Sequence, residues 1–125
     1  MKTLIVTLLM LAMALSGCAS GTENTYTQIT QEEAKTIMDT QQPVILDVRE
    51  QEEFDAGHIP GAVLLSVGTI TKDTAATVIP EKDALVLVYC RSGNRSKKAS
   101  AALAELGYTN IREFGGINTW PYEVE

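Results

Sequence analysis

Strand-like apolar runs alternate with helical stretches along this chain, and no other feature restricts its possible folds as strongly. The segment ALVLVY (84–89) is the clearest strand, VILDV (44–48) is a short strand of the buried type, and NIREF (110–114) closes the series. Strands that alternate with helices are joined by right-handed crossovers. The sequence therefore predicts an α/β fold with a mainly parallel sheet of about five strands and helices on both faces.

The predicted helices lie between these strands. The first begins with a capping box formed by Thr30 and Glu33 and extends to about Asp39. The segment SKKASAALAELG (96–107) predicts a helix that ends at Gly107. The remaining segments, in chain order, are a short charged helix, REQEEF (49–54), a turn that runs into a strand, GHIPGAVLL (57–65), and a helix followed by a loop, TITKDTAATVIP (69–80).

The length of the chain limits it to one domain beyond its first residues. With 125 residues and 45% hydrophobic content, the chain can build a single compact core. Residues 1–17 stand apart, because a short basic start is followed by an apolar run from Leu4 to Leu15 that only Thr7 interrupts. This run is shorter than the about 20 apolar residues of a spanning helix, and it indicates a secretory signal.

The apolar run ends in LSGC (15–18), which resembles the bacterial lipoprotein signal. The resemblance implies cleavage before Cys18, a lipid on its sulfur, and an extracytoplasmic protein that the lipid holds to a bacterial membrane. Residues 18–25 would then be a polar tether, and residues 26–125 the domain. Two alternatives are an ordinary signal that is cleaved beyond Cys18 and a disulfide between Cys18 and Cys90.

Positive charge is scarce in this chain and concentrated in one place. Without residues 1–17, nine cations and sixteen acids remain, a net charge of −7, and four of the nine cations lie in CRSGNRSKK (90–98). Such an acidic chain lacks the broad basic face that nucleic acids require, whereas the cluster suits small anions. The sequence has no internal repeat, heptad pattern or metal-type spacing of Cys and His, so no metal or other cofactor is expected.

Cys90 lies within this basic cluster. It directly follows the 84–89 strand, and the loop 91–95 leads into a helix, so Cys90 is predicted at the carboxyl edge of the sheet, where open α/β folds bind ligands. Gly93 permits the tight curvature that turns several backbone N–H groups toward the sulfur. The alternative is an ordinary core cysteine, and the flanking cations count against it.

The free energy needed to lower the pKa of Cys90 gives a reason for the cations beside it. Lowering a thiol pKa from about 8.5 to about 6.5 requires about 2.7 kcal/mol, whereas a helix end supplies at most about 2 kcal/mol. The loop amides, together with Arg91 and Arg95, must supply the remainder. The cluster therefore predicts a thiolate at Cys90.

Three motifs in this chain resemble those of the rhodanese-like sulfurtransferases. They are the active-site loop CRSGNRS (90–96), the amino-terminal LDVREQEEFDAGHIPGA (46–62) and the carboxy-terminal GGINTW (115–120). The resemblance covers residues 26–124 and implies a three-layer sandwich; a monomeric domain is expected. The chain departs from the family at Ser66, because members often continue the GHIPGA segment into a proline.

The same resemblance implies a two-step transfer of sulfur. Cys90, as a thiolate, takes the sulfane sulfur of a small anionic donor, thiosulfate or a persulfide, and passes it to a thiol or to cyanide. The Ser96 hydroxyl would either hydrogen-bond to the sulfur or cap the helix. The loop residues expected to bind the substrate are Arg91, Ser92, Gly93, Asn94, Arg95 and Ser96.

Two other functions use similar residues. A thiol phosphatase also combines a cysteine, an arginine and a helix amino end, but four residues separate Cys90 from Arg95, where protein tyrosine phosphatases have five. A non-catalytic rhodanese-like module, which binds sulfur or docks a partner, would be favoured if the cysteine were absent. Its presence favours the enzyme.

Several conspicuous residues are interpreted as structural. His58 is a turn residue, and Trp120 is a lid on the core. Asp47 and Arg49 are predicted to form a scaffold pair behind the Cys90 loop. The acids of the 49–54 helix, predicted to form a solvated face, are Glu50, Glu52 and Glu53.

Overall fold

The computed structural model describes residues 25–125, which form one parallel sheet with helices on both faces, as the sequence predicts. Its strands are β1 (Thr27–Gln28), β2 (Val44–Asp47), β3 (Val63–Leu64), β4 (Val86–Cys90) and β5 (Ile111–Gly116). Its helices are α1 (Gln31–Thr40), α2 (Gln51–Ala56), α3 (Lys72–Val78) and α4 (Asn94–Glu105), with 3₁₀ turns at Val67–Thr69 and Ile117–Thr119. The strand order is β1-β5-β4-β2-β3. The predicted signal, Cys18 and the tether up to residue 24 lie outside the described residues.

The central strand β4 separates two hydrophobic cores. Val86, Val88 and Cys90 face one core, whereas Leu87 and Tyr89 face the other, because successive side chains of a strand point to opposite sides of the sheet. Helices α3 and α4 pack against the first core, and α1 and α2 pack against the second. This is the three-layer arrangement that the motifs imply.

Helix α1 begins at the predicted capping box. The Thr30 hydroxyl accepts the N–H of Glu33, and the Glu33 carboxylate accepts the N–H of Thr30. Such a cap stabilises a helix by about 1 kcal/mol. Strand β1 is not among the predicted strands, because two residues are too few to show an alternating pattern; its pairing with β5 defines it.

The edge of the sheet that carries Cys90 differs from the prediction in two details. Helix α4 begins at Asn94 instead of Ser96, because Gly93 adopts a left-handed conformation and turns the chain directly into the helix. Strand β5 continues to Gly116 through a bulge, so that Val88 pairs with Glu113 but Cys90 pairs with Gly116. Both details concern residues that directly surround Cys90.

None of the helices within residues 25–125 has both the length and the apolar character needed to cross a bilayer.

Candidate active site

Cys90 is the last residue of β4, and its side chain points toward α4. The residue is 1% exposed. Its Sγ accepts the backbone N–H of Gly93 at 3.0 Å and lies 3.4 Å from the Ser96 hydroxyl oxygen. The sulfur is therefore enclosed by the loop that follows it, as the sequence predicts for a loop with a glycine at position 93.

The surroundings of Cys90 act on its pKa in opposite directions. Burial raises the pKa of the thiol, whereas the Ser96 hydroxyl and the backbone N–H groups of Ser96, Gly93 and Ser92 lower it by stabilising the thiolate. The hydrogen bonds together exceed the effect of burial, and the pKa of Cys90 lies below its ordinary value. The loop amides thus contribute as predicted, although the Ser96 side chain contributes more than any single one of them.

Ser96 does not cap helix α4. The capping position belongs to Gly93, whose φ is 105°. The Ser96 hydroxyl instead faces the Cys90 sulfur on one side and the carboxylate of Glu113 on the other, with an Oγ–Oε2 distance of 2.5 Å. Of the two roles that the sequence leaves open for Ser96, the structure favours contact with the sulfur.

Glu113 is a buried part of this site that the sequence motifs do not indicate. It lies on β5 two residues after the buried Ile111, on the same side of the strand. Its Oε2 accepts the Ser96 hydroxyl and the N–H of Gly115, and its Oε1 accepts the side-chain amide of Gln28. The sequence does contain a signal for the burial of Glu113, because this charged residue is spaced to lie on the same side of its strand as the aliphatic Ile111.

Arg95 is paired with a carboxylate. Its guanidinium donates to both carboxylate oxygens of Glu53, at 2.6 and 3.0 Å. The prediction that Glu53 belongs to a solvated helix face is therefore wrong, because Arg95 at the start of α4 reaches this half-buried carboxylate and pairs with it. The hydrogen bonds from Arg95, against a smaller effect of burial, lower the pKa of Glu53 to about 2. The pKa of Arg95 is raised, chiefly by Glu53 and in smaller part by the charge of Cys90.

Arg91 is the exposed cation of the loop. Its backbone carbonyl accepts the N–H of Asn118 at 3.1 Å, which ties the loop to the 3₁₀ turn after β5. Its side chain borders a groove of about 400 Å³ that Arg49 and Asn118 also line. Ser92 and Asn94 are exposed on the same loop. An anion that approached the loop from this groove would meet Arg91 first.

Asp47 and Arg49 form the scaffold pair predicted from the sequence. The guanidinium of Arg49 donates to Asp47 at 2.7 Å and to the carbonyl oxygen of Gly57 at the same distance, and both side chains are buried. The Tyr89 hydroxyl also donates to Asp47, at 2.7 Å, and accepts the N–H of Ile59. The network joins β2, β4 and the turn before β3 on the side of the sheet opposite to Cys90.

His58 and Trp120 have the surroundings of structural residues. The imidazole of His58 stacks on Phe54 with 3.8 Å between ring centroids, and Nδ1 lies 2.9 Å from the Phe54 carbonyl oxygen. Trp120 packs against Phe114 in the second core. Within residues 25–125, no three potential metal ligands lie close enough together to hold an ion.

Comparison with known proteins identifies relatives of this chain. A family model described as "Rhodanese-like domain" matches residues 30–122. Thiosulfate sulfurtransferase PspE of Escherichia coli (strain K12) is 36% identical over 72 residues, which are 58% of this chain and 68% of PspE. Thiosulfate sulfurtransferase GlpE of Coxiella burnetii is 32% identical over 96 residues, which are 76% of this chain and 87% of GlpE. Other curated relatives are longer, and the chain spans less than half of their length.

The fold has close neighbours among solved structures. One, described as "rhodanese with anions from E. coli", has a TM-score of 0.62 and 31% sequence identity, and the match covers 66% of this chain and 96% of that one. Since the family model extends over most of the described residues and the same fold recurs in these neighbours, the chain belongs to the family of rhodanese-like domains.

Proposed function

We propose that this protein is a sulfurtransferase that carries sulfane sulfur on Cys90. The observation that carries the proposal is the position of Sγ, which accepts the Gly93 N–H at 3.0 Å beneath a loop that leads into the amino end of α4. These donors stabilise negative charge on sulfur, both on a thiolate and on the outer sulfur of a persulfide. Relatives named thiosulfate sulfurtransferase support the same assignment.

The transfer takes place in two displacements at sulfur. In the first, the Cys90 thiolate attacks the outer sulfur of thiosulfate, the S–S bond breaks, and sulfite leaves with the electron pair. In the second, a thiolate or cyanide attacks the terminal sulfur of the Cys90 persulfide, and Cys90 regains its electron pair as a thiolate. Sulfur changes partners without an external oxidant or reductant.

A small anionic donor suits the surroundings of Cys90. Cys90 is almost fully buried, which favours a compact donor over a bulky one. Arg91 on the loop provides exposed positive charge along the approach. Thiosulfate is both small and negatively charged, and a persulfide anion is also small but carries less charge. Thiols and cyanide are the corresponding acceptors.

A phosphatase is less compatible with this site. Such an enzyme needs its loop arginine free to bind the phosphate oxygens, whereas the guanidinium of Arg95 is held by both oxygens of Glu53. The short loop between Cys90 and Arg95 also encloses a smaller space than a tetrahedral anion requires. A non-catalytic sulfur-binding or docking module is the remaining alternative, and only measurement of turnover separates it from the enzyme.

Sulfur loading distinguishes these functions. After incubation with thiosulfate, we expect the intact mass of the protein to increase by one sulfur atom at Cys90, and cyanide or a thiol should remove it with continued turnover. Phenyl phosphate, assayed in parallel, should release no phosphate. Phosphate release without sulfur loading would indicate a phosphatase, and loading without turnover would indicate a sulfur-binding module.

We also propose that a lipid on Cys18 anchors the domain to a bacterial membrane on its extracytoplasmic side, either in the periplasm or at the cell surface. The support is the sequence LSGC at the end of the apolar run of residues 4–15. In a bacterial host, Cys18→Ala should release the protein from the membrane fraction, while the purified variant should retain sulfur transfer, because Cys90 lies in a separate part of the chain. The proposal fails if mass spectrometry finds no lipid on the wild-type protein.

A further inference from the structure

Glu113 is a buried acid without a cation. It is 2% exposed, and within residues 25–125 no lysine or arginine lies within ion-pair distance of its carboxylate. Its partners are the Ser96 hydroxyl at 2.5 Å, the Gly115 N–H at 2.9 Å and the Gln28 amide at 3.3 Å. Burying a carboxylate costs free energy that such neutral donors offset only in part. The carboxylate thus lies in a buried site where all three of these hydrogen-bond partners are neutral.

The Ser96 hydroxyl has one hydrogen and several possible acceptors. Its oxygen lies near Oε2 of Glu113, the carbonyl oxygens of Gly93 and Gly115 at 3.0 and 3.4 Å, and the Cys90 sulfur. An ionised carboxylate is the strongest of these acceptors and lies nearest. With Glu113 ionised, Ser96 therefore donates to Glu113 and accepts the Cys90 S–H, which leaves it no hydrogen to offer a thiolate.

This geometry disfavours negative charge on Cys90 and Glu113 at the same time. A thiolate beside an ionised Glu113 would place two negative charges on either side of one buried hydroxyl, and Ser96 could stabilise only one of them. If Glu113 holds the proton, the hydrogen bonds reverse: the Glu113 carboxyl donates to Ser96, and Ser96 donates to the sulfur. The Cys90 thiolate is then stabilised by the hydroxyl as well as by the Gly93 N–H.

We propose that Glu113 accepts the Cys90 thiol proton through the Ser96 hydroxyl, so that the three residues share one proton during sulfur transfer. The proposal rests on the proposed function of Cys90 and adds to it the destination of the proton. Ser96 touches the reacting sulfur, whereas Glu113 acts through Ser96 and is a positioning residue that also stores the proton.

Protons and electron pairs are accounted for in both steps of the reaction. The thiol proton moves to Ser96 Oγ while the original Ser96 proton moves to Glu113 Oε2, and the freed electron pair of Sγ bonds to the donor sulfur as sulfite leaves. When the acceptor removes the terminal sulfur, the electron pair of the broken bond returns to Sγ. Glu113 then returns its proton along the same path, so the resting thiol is restored without exchange with solvent.

Other charged groups lie around Cys90 and Glu113. Arg95 interacts with the charge of Cys90, and Glu53 of α2 neutralises much of that cation. Lys97 of α4 lines a groove of about 460 Å³ that Glu113 and the uncharged Gln28 and Gln31 also line. Within residues 25–125, neither Arg95 nor Lys97 lies within ion-pair distance of the Glu113 carboxylate, so neither cation competes with Ser96 for it.

The thiolate absorbance of Cys90, followed against pH, tests this proposal. The signal is the ultraviolet absorbance of the full chain minus that of Cys90→Ser, which removes the contributions of Cys18 and the tyrosines. Two groups that share a proton titrate in two steps with a plateau between them. We expect two steps in the wild type and a single step in both Glu113→Gln and Ser96→Ala. In Ser96→Ala the step should also lie about one pH unit higher, since the hydroxyl no longer stabilises the thiolate.

Ser100→Ala is the matched control. Ser100 is a buried serine on the same helix, and its Oγ has no hydrogen-bond partner within residues 25–125. This variant should keep the two-step curve. A one-step curve in the wild type, which requires only the Cys90→Ser reference to fold, would overturn the proposal. So would a two-step curve that persists in Glu113→Gln or Ser96→Ala.

The absorbance titration needs no sulfur donor, so it separates this inference from the proposed function. A two-step curve together with failure of thiosulfate to load Cys90 would leave the shared proton intact and refute the sulfurtransferase assignment. Sulfur loading together with a one-step curve would support the sulfurtransferase assignment and refute the shared proton.

Discussion

Cys90→Ser should abolish thiosulfate turnover, with a loss of at least about 10³-fold in kcat/KM. A serine hydroxyl is a far weaker nucleophile than a thiolate because it ionises only at much higher pH, and the loop donors around Cys90 cannot make up that difference. Serine also cannot form a persulfide, so the covalent intermediate disappears with the thiol. Initial rates of thiocyanate formation from thiosulfate and cyanide measure the effect.

The fold should survive this substitution. Serine is nearly the same size as cysteine, and its hydroxyl can accept the Gly93 N–H that now points at Sγ. The matched control is Cys18→Ser, which removes the other thiol of the chain and should leave turnover unchanged. Substantial turnover in folded Cys90→Ser would show that Cys90 does not carry the sulfur.

Gly116→Ala should cause the second large loss. A Cβ at Gly116 would lie 2.0 Å from the Arg91 carbonyl oxygen and 2.6 Å from the Ser92 nitrogen. These are backbone atoms of the active-site loop, so the clash can be relieved only by moving the loop that surrounds Sγ. We expect turnover to fall on the order of 10²-fold, since a shift of about 1 Å in a catalytic group has an effect of that size.

The same substitution should lower the free energy of unfolding by about 1–3 kcal/mol, the usual effect of forcing an extra methyl group into a packed site. Urea unfolding and thiosulfate kinetics measure the two effects on one preparation. Gly68→Ala is the control, because a Cβ at Gly68 would meet no atom within 4 Å. The close approach of β5 to the loop would be irrelevant to function if Gly116→Ala retained the turnover of Gly68→Ala.

Much of the fold could be predicted from the sequence because the interactions concerned are local. The capping box of Thr30 and Glu33 spans three residues, and the alternation that identifies β4 is visible within one strand. Strand β1 was missed since it consists of two residues and depends on a partner far along the chain. The bounds of α4 and β5 shifted by two residues at the site, where Gly93 and the bulge alter the local path.

The sequence by itself determined the central elements of the site: a cysteine directly after a buried strand, a glycine that turns the loop, and a helix that starts behind it. Such a loop directs its own backbone N–H groups, so its contacts with Sγ depend on neighbouring residues only.

Only the tertiary structure decided which side chains meet across the site. Glu53 reaches Arg95 from 42 residues away, and Glu113 reaches Ser96 from 17 residues away. Each contact depends on how elements far apart in the chain are placed, α2 within reach of the start of α4 and β5 packed against α4, and no local pattern specifies that placement. From its charge alone, Glu53 was predicted to be a surface residue, and Glu113 was not singled out at all. In the structure, Glu53 pairs with Arg95 of the loop, and Glu113 is buried beside the Ser96 hydroxyl that contacts Cys90. Such partners are decided by the crossover connections and the strand register, which bring together residues far apart in the chain.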